Sequence, residues 1–282
     1  MNSVWRRPSF TRSSRTARPA RAVLRLLSAL CLSAGAAAQT HPLADTGQVT
    51  CYNASASTGT VTASNPNPVQ AGFEGQDCVR GAAAADAVDA MYKLGASTRR
   101  GADYTRIAND GIELPANAVL GSGPSDWACT RDNVTGLTWE VKVNNAADLR
   151  HQSHIYTWYD TNAAVNGGNS GTIGTNTTCN STLTNCNTTA FRDAVNAVGL
   201  CGANDWRLPT ADELQSLVHY GLTSGARIDT TWFPNTPATS FWSGQNYALD
   251  ESDAWVVSFG GGSLFISSKV NNRQVRLVRG GQ

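Results

Sequence analysis

Six cysteines follow the N-terminal leader of this 282-residue chain, and their number constrains the fold more than any other feature. An even number of cysteines in an exported protein is typical of a disulfide-stapled fold, and six cysteines allow 15 pairings, among which the sequence does not choose. No CxxC or CxxC with HxxxH spacing is present, so the pattern does not indicate a zinc site. The pairing we favour has one staple in the N-terminal part, one across the core and one in a short loop: Cys51–Cys78, Cys129–Cys201 and Cys179–Cys186.

The leader itself, residues 1–38, has the organisation of a secretory signal peptide. It contains seven arginines and no acidic residue, followed by the apolar run VLRLLSALCLSAGAAA, which ends in small residues. This order predicts cleavage near Ala38–Gln39 and export to the periplasm, the outer surface or the medium. No later apolar run is long enough for a transmembrane helix, so we expect no membrane span in the mature chain.

Removal of the leader changes the charge of the protein. The mature chain keeps 15 of the 22 basic residues and all 21 acidic ones, which gives a net charge of −6. A generally basic surface that would bind nucleic acid is therefore excluded, and a site for an anionic partner must be a local patch.

The mature chain has a loop-rich first part and a better patterned second part. Residues 39–102 are rich in Ala, Ser, Thr, Asn and Gly and are interpreted as an N-terminal extension, with one short helix predicted in GAAAADAVDAMYKLG. Residues 103–282 form the predicted main domain. Within it, TGLTWEVK alternates apolar and polar residues and predicts a half-buried strand, whereas residues 160–188 form a long polar insertion.

Two helices are predicted after this insertion. TAFRDAVNAVGLCG places Phe191, Val195 and Val198 on one helical face, with Thr189 as the cap. DWRLPTADELQSLV contains a capping box, because Thr210 and Glu213 are three residues apart. Glu213 is thus explained by the helix start and need not be catalytic.

The segments that follow the second helix are strand-like. SFWSG predicts a short strand, DAWVVSFGGGSLFISSK a hairpin about three glycines, and RQVRLVRG a last strand. The order of elements predicts an α+β fold with two helices beside a mainly antiparallel, twisted sheet, and with long loops stapled by disulfides.

Five separated motifs occur in the order found in a known family: TRDNVTGLTWEVK, DWRLPTADELQSLV, WFPNT…FWSG, AWVVSF–GGG and VRLVRG. Over roughly residues 103–282 the chain resembles the C-terminal domain family of the Legionella collagen-like protein, and DYTRIANDG resembles the opening strand of that family. The resemblance implies a C-type-lectin-like fold, distantly similar to sulfatase-modifying enzymes, in which TGLTWEVK lies near RQVRLVR.

The resemblance also implies a binding role. The collagen-like member of the family is a surface adhesin that binds sulfated glycosaminoglycans through this domain. The present chain has no Gly-X-Y repeat, so we expect no collagen stalk or enforced trimer. No cysteine follows Cys201, and the cysteine pair of the formylglycine-generating relatives is therefore missing.

A cluster of basic residues near the C-terminus is the candidate site for an anionic ligand, because arginine and lysine recognise sulfate and carboxylate groups. Lys269 and Arg273 are the predicted ligand contacts, and Arg150 and Lys142 extend the patch. Arg276 and Arg279 match the VRxVR segment of the family, and we interpret them as partners of buried acids such as Asp205 or Asp212. The residues predicted to be structural are Trp139, Trp206, Arg207, Pro209, Thr210, Glu213, Arg276 and Arg279.

Aromatic and acidic residues provide two further candidates. Trp158 and Tyr159, beside the polar insertion, are the predicted exposed pair for stacking on a sugar, whereas Trp139, Trp206 and Trp255 are assigned to the core. Three acidic residues bunch in ALDESDAW. Asp250, Glu251 and Asp253 are candidate calcium ligands, although a solvated acidic turn is the interpretation we favour and no metal site is assigned.

These observations predict an exported, non-catalytic binding domain that acts in cell-surface adhesion or in recognition of a glycan, sulfated glycans included. The alternative is a structural or protein-interaction module of an envelope or surface-appendage complex. We expect no cofactor, with calcium as the open alternative, and either a glycan or a surface protein as the partner. The sequence leaves the oligomeric state open.

Overall fold

A computed structural model of the chain describes residues 50–52, 57–60 and 104–280. The predicted signal peptide, the helix predicted within residues 81–95, and Cys78 lie outside the described residues. The strands and helices are, in chain order, β1 (Thr50–Tyr52), β2 (Ser57–Thr60), β3 (Tyr104–Ala108), β4 (Glu113–Leu114), β5 (Trp127–Asp132), β6 (Leu137–Glu140), α1 (Thr188–Val198), a 3-10 turn (Leu200–Gly202), α2 (Ala211–Gln215), β7 (Ser240–Asn246), β8 (Asp253–Ser258), β9 (Leu264–Ser268) and β10 (Val278–Gly280).

The described strands form antiparallel sheets. The largest has five strands in the order β10-β6-β5-β3-β4, the second has three strands in the order β7-β8-β9, and β1 pairs with β2 in a separate hairpin. With two α-helices beside these sheets, the predicted α+β class is confirmed. No helix in the described part of the chain is both long and apolar enough to span a bilayer.

The last strand closes the five-stranded sheet beside β6. Val278 pairs with Trp139 and Gly280 with Leu137, in an antiparallel register. This confirms the expectation that TGLTWEVK and RQVRLVR lie near each other. The neighbouring backbone of Arg207 also exchanges two hydrogen bonds with Val278, at 2.9 and 3.0 Å, and so ties the start of the DWRLP motif to the same strand.

Strand β6 and the residues that follow it are buried on both faces, and the prediction of a half-buried strand is wrong. Trp139 faces a core cluster that includes Phe233 and Phe241. On the other face Glu140 and Lys142 are also fully buried, and the Lys142 ammonium lies 4.8 Å from the centroid of the Phe191 ring on helix α1. Helix α1 therefore covers the face that the alternation assigned to solvent.

Helix α1 begins one residue earlier than its predicted cap. The N-cap is Asn187, not Thr189, and its side-chain oxygen accepts a hydrogen bond from the Ala190 amide at 2.8 Å. Gly199 ends the helix in the left-handed conformation, with φ 67°. Phe191 and Val195 are buried as predicted, but Val198 is 67% exposed, because this last helical residue lines an open cleft and does not pack in the core.

Helix α2 confirms the predicted capping box. The Thr210 hydroxyl accepts from the Glu213 amide at 3.1 Å, and Glu213 Oε2 accepts from the Thr210 amide at 2.7 Å. The buried Pro209 precedes this cap, and its carbonyl accepts a hydrogen bond from the Gly244 amide at 2.7 Å. The motif thus fastens the helix start to strand β7.

Two of the three favoured disulfides are confirmed. Cys129–Cys201 joins strand β5 to the 3-10 turn after helix α1, and Cys179–Cys186 closes a short loop within the polar insertion. Cys51 is buried and disulfide-bonded as well. Its favoured partner Cys78 is outside the described residues, so that pairing stays a prediction.

Candidate functional site

A cleft of about 220 Å³ opens between the polar insertion and the N-terminal half of helix α1. One wall is the loop of residues 160–171, referred to below as the 160s loop, which contributes Asp160, Asn162 and Val165. The other wall holds Arg192 of helix α1 and Arg207 of the DWRLP motif. The remaining lining residues are Trp158, Tyr159, Thr188, Leu208 and Gly244. The first wall carries a negative charge and the second two positive charges, so the cleft as a whole contains both signs.

Arg192 is the cation of the cleft that keeps the most hydrogen-bonding capacity. Its Nε donates to Asp193 Oδ1 at 2.8 Å and its Nη1 to Asp160 Oδ2 at 3.4 Å. Its other three N–H groups make no hydrogen bond to any residue that the structure describes. The side chain is 29% exposed. A planar guanidinium with unpaired donors suits a carboxylate or sulfate group.

Asp160 supplies the opposite charge at the cleft. Its Oδ1 accepts from the Asn162 amide at 2.8 Å, and its Oδ2 faces Arg192. Asn162 is exposed beside it. An acid, an amide and a guanidinium together offer both acceptors and donors to a ligand rich in hydroxyl groups.

Arg207 lines the cleft but is held by its own partner. Its two terminal nitrogens donate to the two carboxylate oxygens of Glu213 at 2.8 and 2.7 Å, and further to the carbonyls of Leu208 and Gly280. Burial on its own raises the pKa of Glu213, but the hydrogen bonds from Arg207 and Thr210 lower the pKa below its ordinary value. The predicted structural role of Arg207 and Glu213 agrees with these contacts.

The aromatic pair beside the cleft is not equally exposed. Trp158 is only 2% exposed, and its indole nitrogen donates to the Ser243 carbonyl at 3.0 Å. Tyr159 is partly exposed. Among the described tryptophans it is instead Trp255, which the sequence assigned to the core, that is partly exposed, with its ring 5.5 Å from Tyr247. Strand alternation correctly places Trp255 on the core-facing side of strand β8. Its position there is at the edge of the core, so the ring is partly exposed to solvent.

Lys269 lies below the 160s loop and not on the surface. It is 1% exposed, and its ammonium donates to the carbonyls of Asn166 at 2.8 Å and Asn169 at 2.7 Å. The same ammonium is 4.3 Å from the centroid of the Trp158 ring. Burial lowers the pKa of Lys269, and the nearby carboxylates of Glu251 and Asp253 counteract this only in part.

Lys142 and Arg150, the predicted extension of the basic patch, are also buried. The Lys142 ammonium is 2.9 Å from Glu140 Oε1, and burial lowers its pKa despite this partner. Arg150 is 4% exposed and donates to the carbonyls of Ala128, Val141 and Gly121. It lines a second cleft of about 240 Å³, together with polar residues such as Asp148 and apolar residues such as Leu200. Its donors are used within the protein, and so we assign no ligand there.

The C-terminal arginines have separate roles. Arg279 pairs with Asp205 at 2.6 Å, as predicted, although this acid is exposed and not buried. Arg276 does not pair with Asp205 or Asp212. It is fully buried between the rings of Phe233 and Phe241, with hydrogen bonds to the Glu140 carbonyl and to the Thr236 hydroxyl, and burial lowers its pKa to about 10. Arg273 is partly exposed and donates to the adjacent Asn272 carbonyl.

The predicted basic patch is consequently not assembled in the structure. Of its four members, Lys269, Lys142 and Arg150 have their charged groups inside the protein, and only Arg273 reaches the surface. Polar partners inside the protein explain the difference, since backbone carbonyls hold Lys269 and Arg150 and a carboxylate holds Lys142. The sequence shows which residues carry a charge, but whether each one is buried depends on neighbours that are distant in sequence.

The acidic turn near residue 250 is organised by its own hydrogen bonds. Asp250 Oδ1 accepts from the amide and the hydroxyl of Ser252, at 2.9 and 2.7 Å, and these bonds lower the pKa of Asp250. Asp253 begins strand β8, and Glu251 approaches Gly168 in the 160s loop. Within the described ranges, no three His, Cys, Asp or Glu side chains are grouped as they would be around a metal ion.

The residues that sequence reasoning missed are Asp160, Asn162 and Arg192. A local signal was present, since an acid opens the polar insertion and an arginine lies in the first turns of the helix that ends it. Only the fold brings these two ends together. Tyr159 forms a β-bridge with Gly171, and its carbonyl accepts hydrogen bonds from the hydroxyls of Thr188 and Thr189 at 2.9 and 2.5 Å. These contacts bring the two ends of the insertion together.

The antiparallel sheets, the capped helices, the two disulfides and the mixed-charge cleft define an α+β domain built around a stapled polar insertion. The model of the Lcl C-terminal domain matches residues 128–279, which is more than half of the chain, and the protein belongs to this family. No curated protein matches the chain. No solved structure matches it either.

Proposed function

We propose that this chain is an exported, non-catalytic binding domain that recognises a glycan through the cleft between the 160s loop and helix α1. The observation that carries the proposal is the arrangement of Arg192, Asp160 and Asn162 around one opening, with Tyr159 at its side. These groups match the hydroxyl, carboxylate and sulfate groups of sugars. The role would be cell-surface adhesion or recognition.

The size of the cleft supports a short contact with a longer chain. Pockets that enclose a drug-sized ligand are about 300 to 1,000 Å³, whereas this cleft is about 220 Å³. One or two sugar units would lie in it, and the rest of the glycan would remain in solvent. Three unpaired N–H groups on Arg192 favour an acidic or sulfated unit.

A binding role is also favoured over catalysis by the state of the charged groups. Asp160 is held by Asn162 and Arg192, and Glu213 by Arg207 and Thr210. The hydrogen bonds from Arg207 and Thr210 lower the pKa of Glu213, so this carboxylate is a fixed hydrogen-bond acceptor, whereas a general acid must keep its proton near neutral pH.

We further propose that the fold is a C-type-lectin-like variant and that the protein is exported. The pairing of β6 with β10 and the long stapled loops support the first statement. The leader-like residues 1–38 and the disulfides support the second, because disulfides persist in oxidising compartments.

A structural or protein-interaction module is the second candidate, and one observation favours it. Edge strand β9 exposes Phe265 and Ile266, at 37% and 39%, and Val270 just beyond it is 63% exposed. Apolar side chains on a sheet edge are suited to contact another protein.

The deciding experiment is binding of the full chain, produced in an oxidising compartment, to an array of sulfated, carboxylated and neutral glycans. It is run at low and high salt, with and without a calcium chelator. We expect binding to acidic glycans that weakens with salt. Arg192→Gln should weaken it about tenfold or more, since a charged hydrogen-bonding partner is lost.

The matched control is Arg131→Gln, which removes a surface arginine that lies away from the cleft. This arginine forms an ion pair with Glu113 at 2.6 Å. Equal loss in both variants would show a general charge effect and contradict the assignment of the cleft. Loss of glycan binding only in the presence of the chelator would indicate that the ligand binds at the acidic turn near residue 250 and not in the cleft. Absence of binding to any glycan would leave the protein-interaction module as the better account.

A further inference from the structure

The 160s loop has little apolar anchoring of its own. Its one large apolar residue, Val165, is 42% exposed, and the rest of the loop is Asp, Asn, Thr, Ala, Gly and Ser. Loops of this composition are ordinarily mobile, because ordering each residue costs conformational entropy that burial does not offset. Something other than apolar packing must fix this wall of the cleft.

A buried ammonium occupies the underside of the loop. Lys269 Nζ bonds the Asn166 and Asn169 carbonyls, which bracket Gly167 and Gly168 at the tip of the loop. Both glycines have positive φ, 67° and 101°, so the tip follows a path that other residues rarely adopt. The ammonium therefore fixes the carbonyls at both ends of this turn, in the way a bound cation would.

The lysine is itself held from the opposite side. Its aliphatic stem leads from the end of strand β9, its ammonium lies over the Trp158 ring, and the Trp158 amide donates to the Lys269 carbonyl at 3.1 Å. Among the described residues no carboxylate lies within ion-pair distance of Lys269. A buried charge without an ion pair is stable only while its hydrogen bonds are kept, so the loop and the ammonium depend on each other.

Two other contacts tie the loop to the same three-stranded sheet. The Asn246 side-chain amide donates to the Val165 carbonyl, and Glu251 approaches Gly168. The Asn246 hydrogen bond and the Glu251 side chain are exposed, whereas the two Lys269 hydrogen bonds are buried or partly buried. Lys269 is thus the central attachment and the others are peripheral.

We propose that Lys269 is the positioning residue of the cleft: its ammonium holds the 160s loop in place and thereby presents Asp160 and Asn162 to the ligand. The ordering of the loop is independent of what the cleft binds. The consequence for affinity rests on the proposed function. Lys269 acts through the loop and makes no ligand contact of its own.

The test is hydrogen exchange of the full chain with Lys269→Met, which keeps the apolar stem and removes the ammonium. We expect amides of residues 160–171 to exchange about tenfold faster or more, because charge-assisted hydrogen bonds are lost, while amides of helix α1 keep their rates. Arg131→Met, which removes a charge outside the loop, should leave the loop amides unchanged. Unchanged loop exchange in Lys269→Met would overturn the proposal.

A second variant guards against simple loss of folding. Lys269→Ala leaves space for the missing part of the side chain, and added propylammonium ion should slow exchange of the loop again, whereas propanol of similar size should not. Rescue by both compounds would mean that the apolar stem, and not the charge, orders the loop. Rescue by neither, in a variant that is otherwise protected, would also contradict the role of the ammonium.

The consequence for binding is measured with a heparin-derived octasaccharide as the probe. We expect Lys269→Met to weaken binding about as much as Arg192→Gln, and propylammonium to restore part of it in Lys269→Ala. A faster loop with unchanged affinity would overturn the positioning role. If the wild-type chain binds no glycan on the array, the proposed function fails, and the exchange measurements still decide whether Lys269 orders the loop.

Discussion

Arg207 and Glu213 form a two-point ion pair in which both carboxylate oxygens accept hydrogen bonds, at 2.7 and 2.8 Å, from the two terminal nitrogens of the guanidinium. The same carboxylate caps helix α2 through the Thr210 amide. The Glu213 side chain therefore joins the helix start to the DWRLP motif and, through Arg207, to the carbonyl of Gly280 at the end of strand β10. The DWRLP motif thus connects three segments of the chain through hydrogen bonds.

This pair makes stability depend on pH in a defined direction. Because the pKa of Glu213 is below its ordinary value of 4.5 in the folded protein, its contribution is fully present above about pH 5 and is lost as the pH falls through the folded pKa. Glu213→Gln should lower stability by about 1 kcal/mol at pH 7, where solvent exposure of the pair limits the effect. Thermal unfolding at several pH values should show the two proteins converging as the pH falls through the lowered pKa of Glu213, whereas a constant difference would contradict this linkage.

Gly171 is predicted to tolerate no side chain. A Cβ at this position would lie 2.1 Å from the Trp158 carbonyl oxygen, and its φ is 81°. Gly171→Ala should therefore cost about 3 kcal/mol or more, from strain and overpacking together. Gly136→Ala is the matched control, since its φ is 74° but no atom lies within 4 Å, and it should cost only about 1 kcal/mol. Urea unfolding would measure both, and equal costs would refute the steric explanation.

The two described disulfides should differ in their effect on stability. Cys129–Cys201 spans 72 residues and Cys179–Cys186 spans 7. If each acts mainly by restricting the unfolded chain, replacing the first pair by serines should cost about 4 kcal/mol and the second about 2.5 kcal/mol. Chemical unfolding of the two double variants tests this. A larger cost for the short loop would show that it stabilises the native insertion directly.

Removing one partner of the buried Glu140–Lys142 pair should destabilise the protein strongly, whereas replacing both partners should destabilise it less. Lys142→Met leaves the Glu140 carboxylate buried without its cation, which typically costs about 3 to 5 kcal/mol. The double variant with Glu140→Gln keeps an acceptor for the Leu277 amide, now at 3.2 Å from Oε2, and should be more stable than Lys142→Met alone. A double-mutant cycle by urea unfolding measures the coupling. Arg131→Met, whose ion pair is exposed, should change stability by about 0.5 kcal/mol or less.

Local chemistry in the sequence predicted much of this fold. The capping box at Thr210 depends only on residues three positions apart, and the strand about Trp139 only on alternation, so both could be located without the structure. The number of cysteines limited the pairings, and the two favoured pairs that can be checked are present. The family resemblance placed β10 beside β6.

The candidate site was harder to predict because burial depends on contacts far apart in sequence. Lys269 reads as a surface cation, but its two carbonyl partners lie about a hundred residues earlier, at Asn166 and Asn169. For the same reason Trp158, which was predicted to be exposed, is buried, and Trp255, which was predicted to be buried, is partly exposed. A pattern within one strand shows which residues share a face, and it does not show what covers that face.

The pairing of Leu137 with Gly280 has a consequence for how the protein reaches its native state. Strand β6 is an interior strand of the five-stranded sheet, with β5 on one side and β10, the last described strand, on the other. The five-stranded sheet can be completed only after residue 280 has been synthesised, and strands β5 and β6 therefore remain without this neighbour while the intervening residues are made. Such distant strand pairing makes folding slow, because the entropy of closing a long loop must be lost before the contacts that compensate for it can form.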